Sequence, residues 1–283
     1  MMNNYNLYVD FSPQEAWNSP SMWLEMSLGA IGGGLFIISA LLSFDLGIFL
    51  GFLILMAGKG IFLLIDLGKP ERFLKVLSRP FKSWISTSAW VLLLFGLSGV
   101  TYCALLLVNG GVGSGILGVF KVISILLAIF LVTYDGFLLA ASKGIEAWNT
   151  SILPILYGIS SLLVGTGITL ALIQEVTDLI LLQINIILLI TFAFLVFSYI
   201  SVLKKSTIGA RKSAQLLIEN YKNPLWIGLV GIGIVLPLLL AGLGLLGLVS
   251  LSSTLIIWIA LFEVIGAFYL RYLILNIGVY APV

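Results

Sequence analysis

The sequence predicts an all-α integral membrane protein with eight transmembrane helices, arranged as two four-helix bundles. Its 283 residues are 60% hydrophobic and only 9% charged. A helix needs roughly 20 apolar residues to cross about 30 Å of hydrocarbon, and eight runs in the chain approach that length. The runs lie at 22–42, 45–67, 86–108, 120–141, 152–172, 179–203, 225–249 and 254–277.

The intervals between the runs are too short for a soluble domain. Residues 1–283 are therefore expected to form a single polytopic membrane domain, with helices 1–4 in 1–141 and helices 5–8 in 152–277. The first run does not look like a secretory signal, because residues 1–21 contain no Lys or Arg and no small-residue cleavage site follows.

The cations lie almost entirely on one side of the predicted membrane. They are Lys69, Arg72, Lys75, Arg79 and Lys82 between runs 2 and 3, Lys143 between runs 4 and 5, and Lys204, Lys205, Arg211, Lys212 and Lys222 between runs 6 and 7. The positive-inside rule predicts a multi-pass protein of the inner (cytoplasmic) membrane with both termini in the cytoplasm. Cations retained for a partner or ligand would produce the same asymmetry.

Two residue types are scarce enough to restrict redox chemistry. The chain has no His, so paired imidazoles cannot hold a haem, and its single Cys103 cannot bind an iron–sulfur cluster. We expect no metal site, haem or cluster in this chain, and nothing in it predicts a nucleic-acid partner. Electron transfer would need a lipid-soluble carrier and a separate metal-bearing subunit.

Ionisable side chains inside apolar runs are costly and mark candidate functional positions. They are Glu25 in run 1, Lys59 and Asp66 in run 2, Asp135 beside Tyr134 in run 4, and Glu263 and Arg271 in run 8. Because successive runs alternate in direction, Glu263 lies past the middle of the membrane. The others gather in the half next to the termini.

Most of these residues also have a structural interpretation. Arg271 and the charges near Asp66 would suit interfacial anchors. Lys59 and Asp66 share a helical face and would suit an ion pair. Tyr134 alone is typical of packing, and Glu263 would suit a protonated or ion-paired structural residue.

An ordered set of charges separates runs 2 and 3. Asp66 closes run 2, and Pro70 disfavours helical geometry at Lys69, so the chain turns there before five cations. We interpret this segment as part of a site. In run 1, Gly29 and Gly33 have the spacing that lets a ligand or a neighbouring helix lie against the backbone, and helix packing alone would also explain it.

Four segments together resemble the membrane subunits of the polysulfide reductase (NrfD-type) family, over nearly the whole chain. They are Asp66-Leu67-Gly68-Lys69-Pro70-x-Arg72-Phe73 with Ser83-Trp84-x-Ser86; Leu28-Gly29-x-x-Gly32-Gly33; Tyr134-Asp135-Gly136-x-Leu138-Leu139 with Glu146-Ala147-Trp148-Asn149-Thr150 and Leu153-Pro154; and Arg271-Tyr272-x-x-Leu275-x-x-Gly278. The chain departs from the family in two places. Tyr-Asp-Gly replaces the common Tyr-Thr-Gly, and the His that some members carry in helix 1 is absent, which leaves Glu25 as the nearest ionisable group.

The resemblance implies a membrane anchor and quinone-reactive subunit of a respiratory oxidoreductase complex. Such a subunit exchanges electrons between menaquinone or ubiquinone in the bilayer and a four-cluster iron–sulfur subunit, which connects to a molybdopterin-type catalytic subunit. Proton translocation is a further expectation. The terminal chemistry would belong to the partner, so no catalytic residue is expected in this chain.

The resemblance also suggests roles for individual residues. Tyr134 would donate to a quinone oxygen, Asp135 or Glu25 would exchange its proton, and Lys59 would stabilise developing negative charge. The full set expected to bind the exchangeable quinone is Glu25, Gly29, Gly33, Lys59, Asp66, Tyr134 and Asp135. Those expected to dock the iron–sulfur partner are Lys69, Arg72, Lys75 and Trp84. Glu263 and Arg271 would form a proton path toward the opposite face.

Two other functions are compatible with the sequence. A proton-coupled secondary transporter would use the intramembrane Lys, Asp and Glu as a relay, although such proteins usually show inverted repeats and paired broken helices. No repeat relates 1–141 to 152–277, and only run 7, with its glycines around Pro237, looks broken. A pure membrane anchor without a quinone site is the other alternative. Co-purified quinone would separate the first function from both.

Overall fold

All eight predicted membrane-length helices are present in the computed structural model, which describes residues 13–15, 17–66, 78, 82–109, 115–173 and 179–280. The all-α membrane fold is therefore confirmed. The helices are α1 (Pro20–Leu42), α2 (Asp45–Asp66), α3 (Trp84–Asn109), α4 (Gly115–Ala140), α5 (Ile152–Ile173), α6 (Leu179–Lys205), the short α7 (Ile208–Glu219), α8 (Pro224–Leu245) and α9 (Ser253–Asn276).

Helix α1 is the central element of the fold, because it packs against α2, α4, α5 and α9. One apolar cluster, built around Phe36 and Phe95, is formed by α1 to α4. A second cluster, around Trp148 and Leu156, draws mainly on α5, α6, α8 and α9. The contact between α1 and α5 therefore lies where the two clusters meet, and it positions side chains of one relative to the other.

Glycines allow α1 to approach its neighbours at backbone distance. A side chain added at Gly34 would overlap the carbonyl oxygen of Ser161 on α5, and one at Gly165 would overlap Gly34 in turn. Similarly, a side chain at Gly32 would overlap the backbone of Leu55 on α2. Because only glycine leaves room for such crossings, these positions determine how α1 sits between α2 and α5.

Helix α8 changes its helical geometry part-way through the membrane. Its first half, Pro224–Val235, is π-helical, and the N–H of Leu236 donates to the carbonyl of Gly231, five residues back. The sequence predicted a kink at Pro237, whereas the structure places the irregularity before this proline. In this segment Gly228 lies under the ring of Tyr269 and Gly233 lies against Gly266. A wider helical turn and two glycines thus bring α8 close to α9.

The short helix α7 follows α6 directly, and Glu146 anchors its start to the rest of the protein. The Glu146 carboxylate accepts hydrogen bonds from the Thr207 hydroxyl and from the N–H groups of Gly209 (2.8 Å) and Ala210 (3.3 Å) at the start of α7. A carboxylate is favourable there because free N–H groups and the helix dipole give a helix N-terminus partial positive charge. Nearby, the Trp148 indole donates to the carbonyl of Ile274 (2.7 Å), which links the α4–α5 connection to α9.

Candidate functional site

Three helices bring Glu25, Lys59 and Asp135 to one level of the membrane. Helix α1 begins on the side of the chain termini and carries Glu25 in its second turn, whereas α2 and α4 end on that side. Lys59 and Asp135 lie about two turns before the ends of their helices. Antiparallel packing of α1 against α2 and of α1 with α4 therefore places all three side chains together.

Lys59 is a buried cation shared by two carboxylates. Its Nζ lies 2.6 Å from Oδ1 of Asp135 and 3.5 Å from Oε1 of Glu25, and the side chains of these three residues are only 2%, 4% and 13% exposed respectively. The short contact to Asp135 is a charge-assisted hydrogen bond. The sequence suggested Asp66 as the ion-pair partner on the same helix. The structure instead gives Lys59 two partners on other helices, and the side chain of Asp66 lies outside the described residues.

The two glycines singled out in α1 have different surroundings. A Cβ at Gly29 would lie 2.6 Å from Cε of Lys59, so the lysine chain lies directly on the α1 backbone at this point. A side chain at Gly33 would instead overlap Val132 of α4. The structure thus places Gly29 at the ionic cluster and Gly33 at an apolar helix contact.

Aromatic side chains connect this cluster to the lipid-facing surface. The Tyr134 ring centroid lies 5.5 Å from Nζ of Lys59, and the Tyr134 hydroxyl is within hydrogen-bonding reach of Ser88. The Trp84 ring lies 6.4 Å from that of Tyr134 and stacks on Phe137 at 5.8 Å with an angle of 3°. Trp84 and Phe137 are 40% and 42% exposed, whereas Tyr134 is buried. The aromatic pair therefore forms an outer layer in front of Tyr134.

Sequence analysis did not identify Phe137 and Ser88 as site residues. Helical spacing carried the relevant signal, since Phe137 lies three residues after Tyr134 and Ser88 four residues after Trp84, in each case about one turn away. A stacking phenylalanine in an apolar helix is indistinguishable by residue type from its lipid-facing neighbours. Trp84 was predicted to dock a partner, and the structure places it beside Tyr134.

Arg271 is the second buried cation of this region. It donates to the carbonyls of Met26 (3.0 Å) and Ala267 (3.0 Å) and to the hydroxyls of two serines of α5, and its guanidinium lies 5.0 Å from the ring centroid of Tyr157. The serines are Ser160 and Ser161, at 3.1 and 3.4 Å. Arg271 is fully buried, so it is not a snorkelling anchor in this structure.

Within the described part of the chain, no carboxylate is hydrogen-bonded to Arg271, yet the charge of Asp135 acts on it electrostatically. Two carboxylates, Glu25 and Asp135, are thus accompanied by two cations, Lys59 and Arg271. The buried cluster is close to neutral overall when all four groups are ionised. This balance reduces the cost of keeping the individual charges away from water.

Glu263 lies apart from this cluster. It is 1% exposed, and a side chain at Gly167 of α5 would overlap its Oε2. The Asn185 side chain on α6 faces it and is fully buried. Over residues 179–280 and the other described segments, neither Glu263 oxygen and neither Asn185 amide atom has a hydrogen-bond partner. Glu263 is therefore a separate polar position and shares no hydrogen bond with Arg271.

Three predicted docking residues, Lys69, Arg72 and Lys75, lie outside the described residues. The following part of the same connection is described from Lys82, an exposed residue just before α3. The described residues of the proposed site therefore belong to α1, α2, α4, α5 and α9 and to the start of α3.

The fold and the ionic cluster define a class: a polytopic helical membrane protein whose buried polar groups gather near one membrane face, with aromatic access from the lipid. A family model described as "Polysulphide reductase, NrfD" matches residues 28–282, and the chain belongs to this family. The resemblance seen in the four sequence segments is confirmed. In general terms, the protein is therefore a membrane-integral subunit of a quinone-reactive type. No curated protein matches the chain.

Proposed function

We propose that this chain exchanges electrons between the membrane quinone pool and an iron–sulfur subunit of a respiratory complex, with the quinone ring bound beside Tyr134 and Lys59. The observation that carries the proposal is the buried Lys59, shared by Glu25 and Asp135 directly behind Tyr134. Buried ionisable groups in a membrane domain are costly, and this cost favours a functional role for the set.

The residues present fit such a ligand. A bound quinone supplies two-electron, two-proton chemistry, which requires hydrogen-bond donors at its oxygens and a group that exchanges protons with water. Tyr134 and Lys59 are donors, and the carboxylates of Glu25 and Asp135 accept protons. Trp84 and Phe137, stacked and about two-fifths exposed, offer a flat apolar surface on the lipid side of these polar groups.

The two carboxylates differ in a way that suggests different roles. Asp135 is held by a 2.6 Å contact to Lys59 and is almost completely buried, so it fixes the position of the ammonium group. Glu25 makes the longer 3.5 Å contact, and its side chain is more exposed. We therefore assign proton exchange with water on the terminal side to Glu25. Asp135 then acts as a positioning residue for Lys59.

The balance of charge explains how negative charge would be accommodated on the quinone. Lys59 and Arg271 compensate Glu25 and Asp135, so the cluster carries no large excess of either sign. The Lys59 ammonium group would hold a quinone oxygen by a charge-assisted hydrogen bond, and the ionised carboxylates would take up the protons that a bound quinol gives up. Translocation of protons across the membrane would extend this exchange to the opposite face.

The partner assignment depends on the sequence. Lys69, Arg72 and Lys75 provide positive charge between α2 and α3, on the same side as the cluster. We propose that they dock the four-cluster iron–sulfur subunit, which leads to a molybdopterin-type catalytic subunit. The excess of cations on this face supports its placement in the cytoplasm, with the chain in the inner membrane.

Replacing Tyr134 by Phe tests the quinone site. The change removes only the hydroxyl donor, and we expect quinol-linked turnover of the complex to fall about 100-fold, as when a donor to developing charge is removed. Reduction of the partner by a water-soluble dye should stay unchanged. Steady-state kinetics with a short-chain quinol measures both activities.

Tyr102→Phe is the matched control, because Tyr102 is equally buried but lies in the apolar cluster of α1 to α4. It should leave quinol kinetics unaltered. If Tyr134→Phe also left them unaltered, Tyr134 would be removed from the site. If the purified wild-type complex carried no quinone and oxidised no quinol, the pure-anchor alternative would replace the proposal.

The partner assignment is tested by charge reversal. Arg72→Glu together with Lys75→Glu should release the iron–sulfur subunit from membranes, because two attractive charges become repulsive at the docking surface. The measurement is co-purification of the subunit with this chain, followed by gel filtration. Lys204→Glu with Lys205→Glu, at the end of α6 on the same face, is the control. A complex that purifies intact after the Arg72 and Lys75 reversal would leave these cations as lipid anchors.

A further inference from the structure

We propose that Glu263 and Asn185 form a second proton-holding site, past the middle of the membrane, where Glu263 releases and regains one proton during each cycle of quinone turnover. The inference rests on the proposed function and extends it, since it names the group through which protons would continue toward the opposite face. Three observations support it. Glu263 and Asn185 are buried, their polar atoms have no hydrogen-bond partner in the described part of the chain, and the helices around them carry few charged residues.

The polar side chains of Glu263 and Asn185 lie next to each other inside the protein. The Asn185 side chain faces the Glu263 carboxyl, and both residues are at most 1% exposed. In the part of the chain that the structure describes, none of their four polar atoms has a hydrogen-bond partner. A protonated carboxylic acid and an amide each offer one donor and one acceptor, so a small rotation would let them pair through two hydrogen bonds, whereas an ionised carboxylate could accept only from the amide N–H.

The Glu263 carboxyl lies against a glycine of α5. Gly167 of α5 lies directly beneath it, and any side chain at this position would overlap Oε2 of Glu263. Apolar helix packing alone would favour filling this space. A glycine under a buried carboxyl instead lets the group lie directly against the α5 backbone.

The helices around Glu263 carry few charged residues. The sequences of α5 and α8 contain no Asp, Glu, Lys or Arg, and the only charges on α6 are Lys204 and Lys205 at its far end. On α9 itself the other charged residue is Arg271, eight residues or roughly 12 Å away. Helix α1, which also contacts α9, contributes Glu25 in its second turn. A permanently ionised Glu263 would lack a close counter-ion, so the protonated form is favoured at rest.

Arg271 provides the electrostatic coupling between the two sites. When Glu25 or Asp135 takes up a proton, one negative charge disappears and the positive charges of Lys59 and Arg271 are no longer balanced. This excess positive charge stabilises a carboxylate at Glu263, so its proton leaves. Glu263 is then reprotonated by the proton that the first site gives up, which restores the charge balance at both sites. The step is transfer of H⁺ between a carboxylic acid and its carboxylate, and it moves no electrons.

A pair of hydroxyl groups lies on the far side of Glu263. Thr169 follows Gly167 by two residues on α5, and its Oγ1 lies 3.3 Å from Oγ of Ser39 near the end of α1 that faces away from the termini. Both side chains are fully buried. The Thr169 hydroxyl also donates to the carbonyl of Gly165 (2.7 Å), and two residues turn an α-helix by about 200°, so this pair lies on a different face of α5 from Glu263 and is not part of the proposed site.

The test uses the whole complex in proteoliposomes and two variants, Glu263→Gln and Asn185→Leu. In the first, we expect loss of proton release on the face opposite the termini, with quinol turnover within twofold of the wild type, since the quinone site is untouched. Infrared spectroscopy gives a second readout that does not require turnover. The carbonyl band of a protonated carboxylic acid should disappear in Glu263→Gln and shift in Asn185→Leu, because an apolar side chain replaces the polar amide that faces the acid.

Glu219→Gln, at the exposed end of α7, is the control and should change neither readout. An unchanged ratio of protons to electrons in Glu263→Gln would overturn the proposal, as would an unchanged infrared spectrum. If Glu263→Gln does not fold, Asn185→Leu alone decides between the same outcomes. Failure of the quinone assignment is distinguishable, because it would appear as absent quinol turnover in the wild type while the infrared band remained.

Discussion

Replacing Lys59 by Met is expected to reduce quinol-linked turnover by at least about 100-fold, as for loss of a preorganised charge at a reacting group. It should also lower the free energy of unfolding by about 3–5 kcal/mol, because breaking a buried ion pair leaves an uncompensated charge. The variant retains Glu25 and Asp135 with only Arg271 to balance them. Quinol kinetics and thermal unfolding in detergent measure the two effects.

A double variant separates the structural effect from the functional one. In Lys59→Met with Asp135→Leu, one cation and one carboxylate are removed together, and Glu25 and Arg271 still balance. We expect most of the lost stability to return, as apolar replacement of a buried pair is often neutral. Turnover should stay low. Recovery of turnover in the double variant would show that Lys59 serves only to neutralise Asp135.

Lys121→Met provides the matched control for removal of a lysine. Lys121 lies on α4 near the opposite face, where it donates to the Ser43 hydroxyl (3.0 Å) and is partly exposed. Its removal should cost at most about 1 kcal/mol and leave turnover unchanged. A similar loss of quinol turnover in Lys121→Met would mean that the assay responds to net charge, and the Lys59 result would then lose its meaning.

Gly34→Ala is expected to lower the free energy of unfolding by about 3 kcal/mol. The added methyl would overlap the carbonyl oxygen of Ser161, which is backbone and cannot rotate away. Helices α1 and α5 would have to separate, and α5 supplies the serines that hold Arg271. We therefore expect lower yield and a lower unfolding temperature, together with weaker quinol turnover.

Gly242→Ala tests whether any helical glycine would behave in this way. Gly242 lies in the α-helical half of α8. Apart from its chain neighbours and the nearby backbone of its own helix, no described atom lies within 4 Å of an added Cβ. This change should be neutral or stabilise by up to about 1 kcal/mol, since alanine has the higher helix propensity. Equal stability of Gly34→Ala and Gly242→Ala would refute the close crossing of α1 and α5.

The alternative functions make different predictions for the same variants. A proton-coupled transporter would lose substrate uptake in Lys59→Met and would need no quinone. A pure anchor would retain its partner and lose nothing in either Tyr134→Phe or Lys59→Met apart from stability. Quinone content of the purified protein and quinol turnover of the complex therefore separate these alternatives from electron exchange.

The architecture and the family could both be predicted from the amino-acid sequence alone. Eight apolar runs of membrane-spanning length are a one-dimensional property, because crossing hydrocarbon requires a continuous helix that satisfies its own backbone. The family followed from four segments whose residue types and order are readable without coordinates. The rarity of ionisable residues in those runs also singled out Glu25, Lys59, Asp135, Glu263 and Arg271, since each is costly in the membrane.

The partners of these residues became clear only from the three-dimensional structure. Sequence spacing relates positions on one helix, so it suggested Asp66 for Lys59, whereas the observed partners Glu25 and Asp135 belong to other helices. It could not place Arg271 on Tyr157 rather than with Glu263, or bring Asn185 to face Glu263. Those relations depend on the rotation and crossing of whole helices. Contacts at backbone distance, such as the one between Gly34 and Ser161, set this geometry, and they are properties of pairs of helices that no single helical pattern contains.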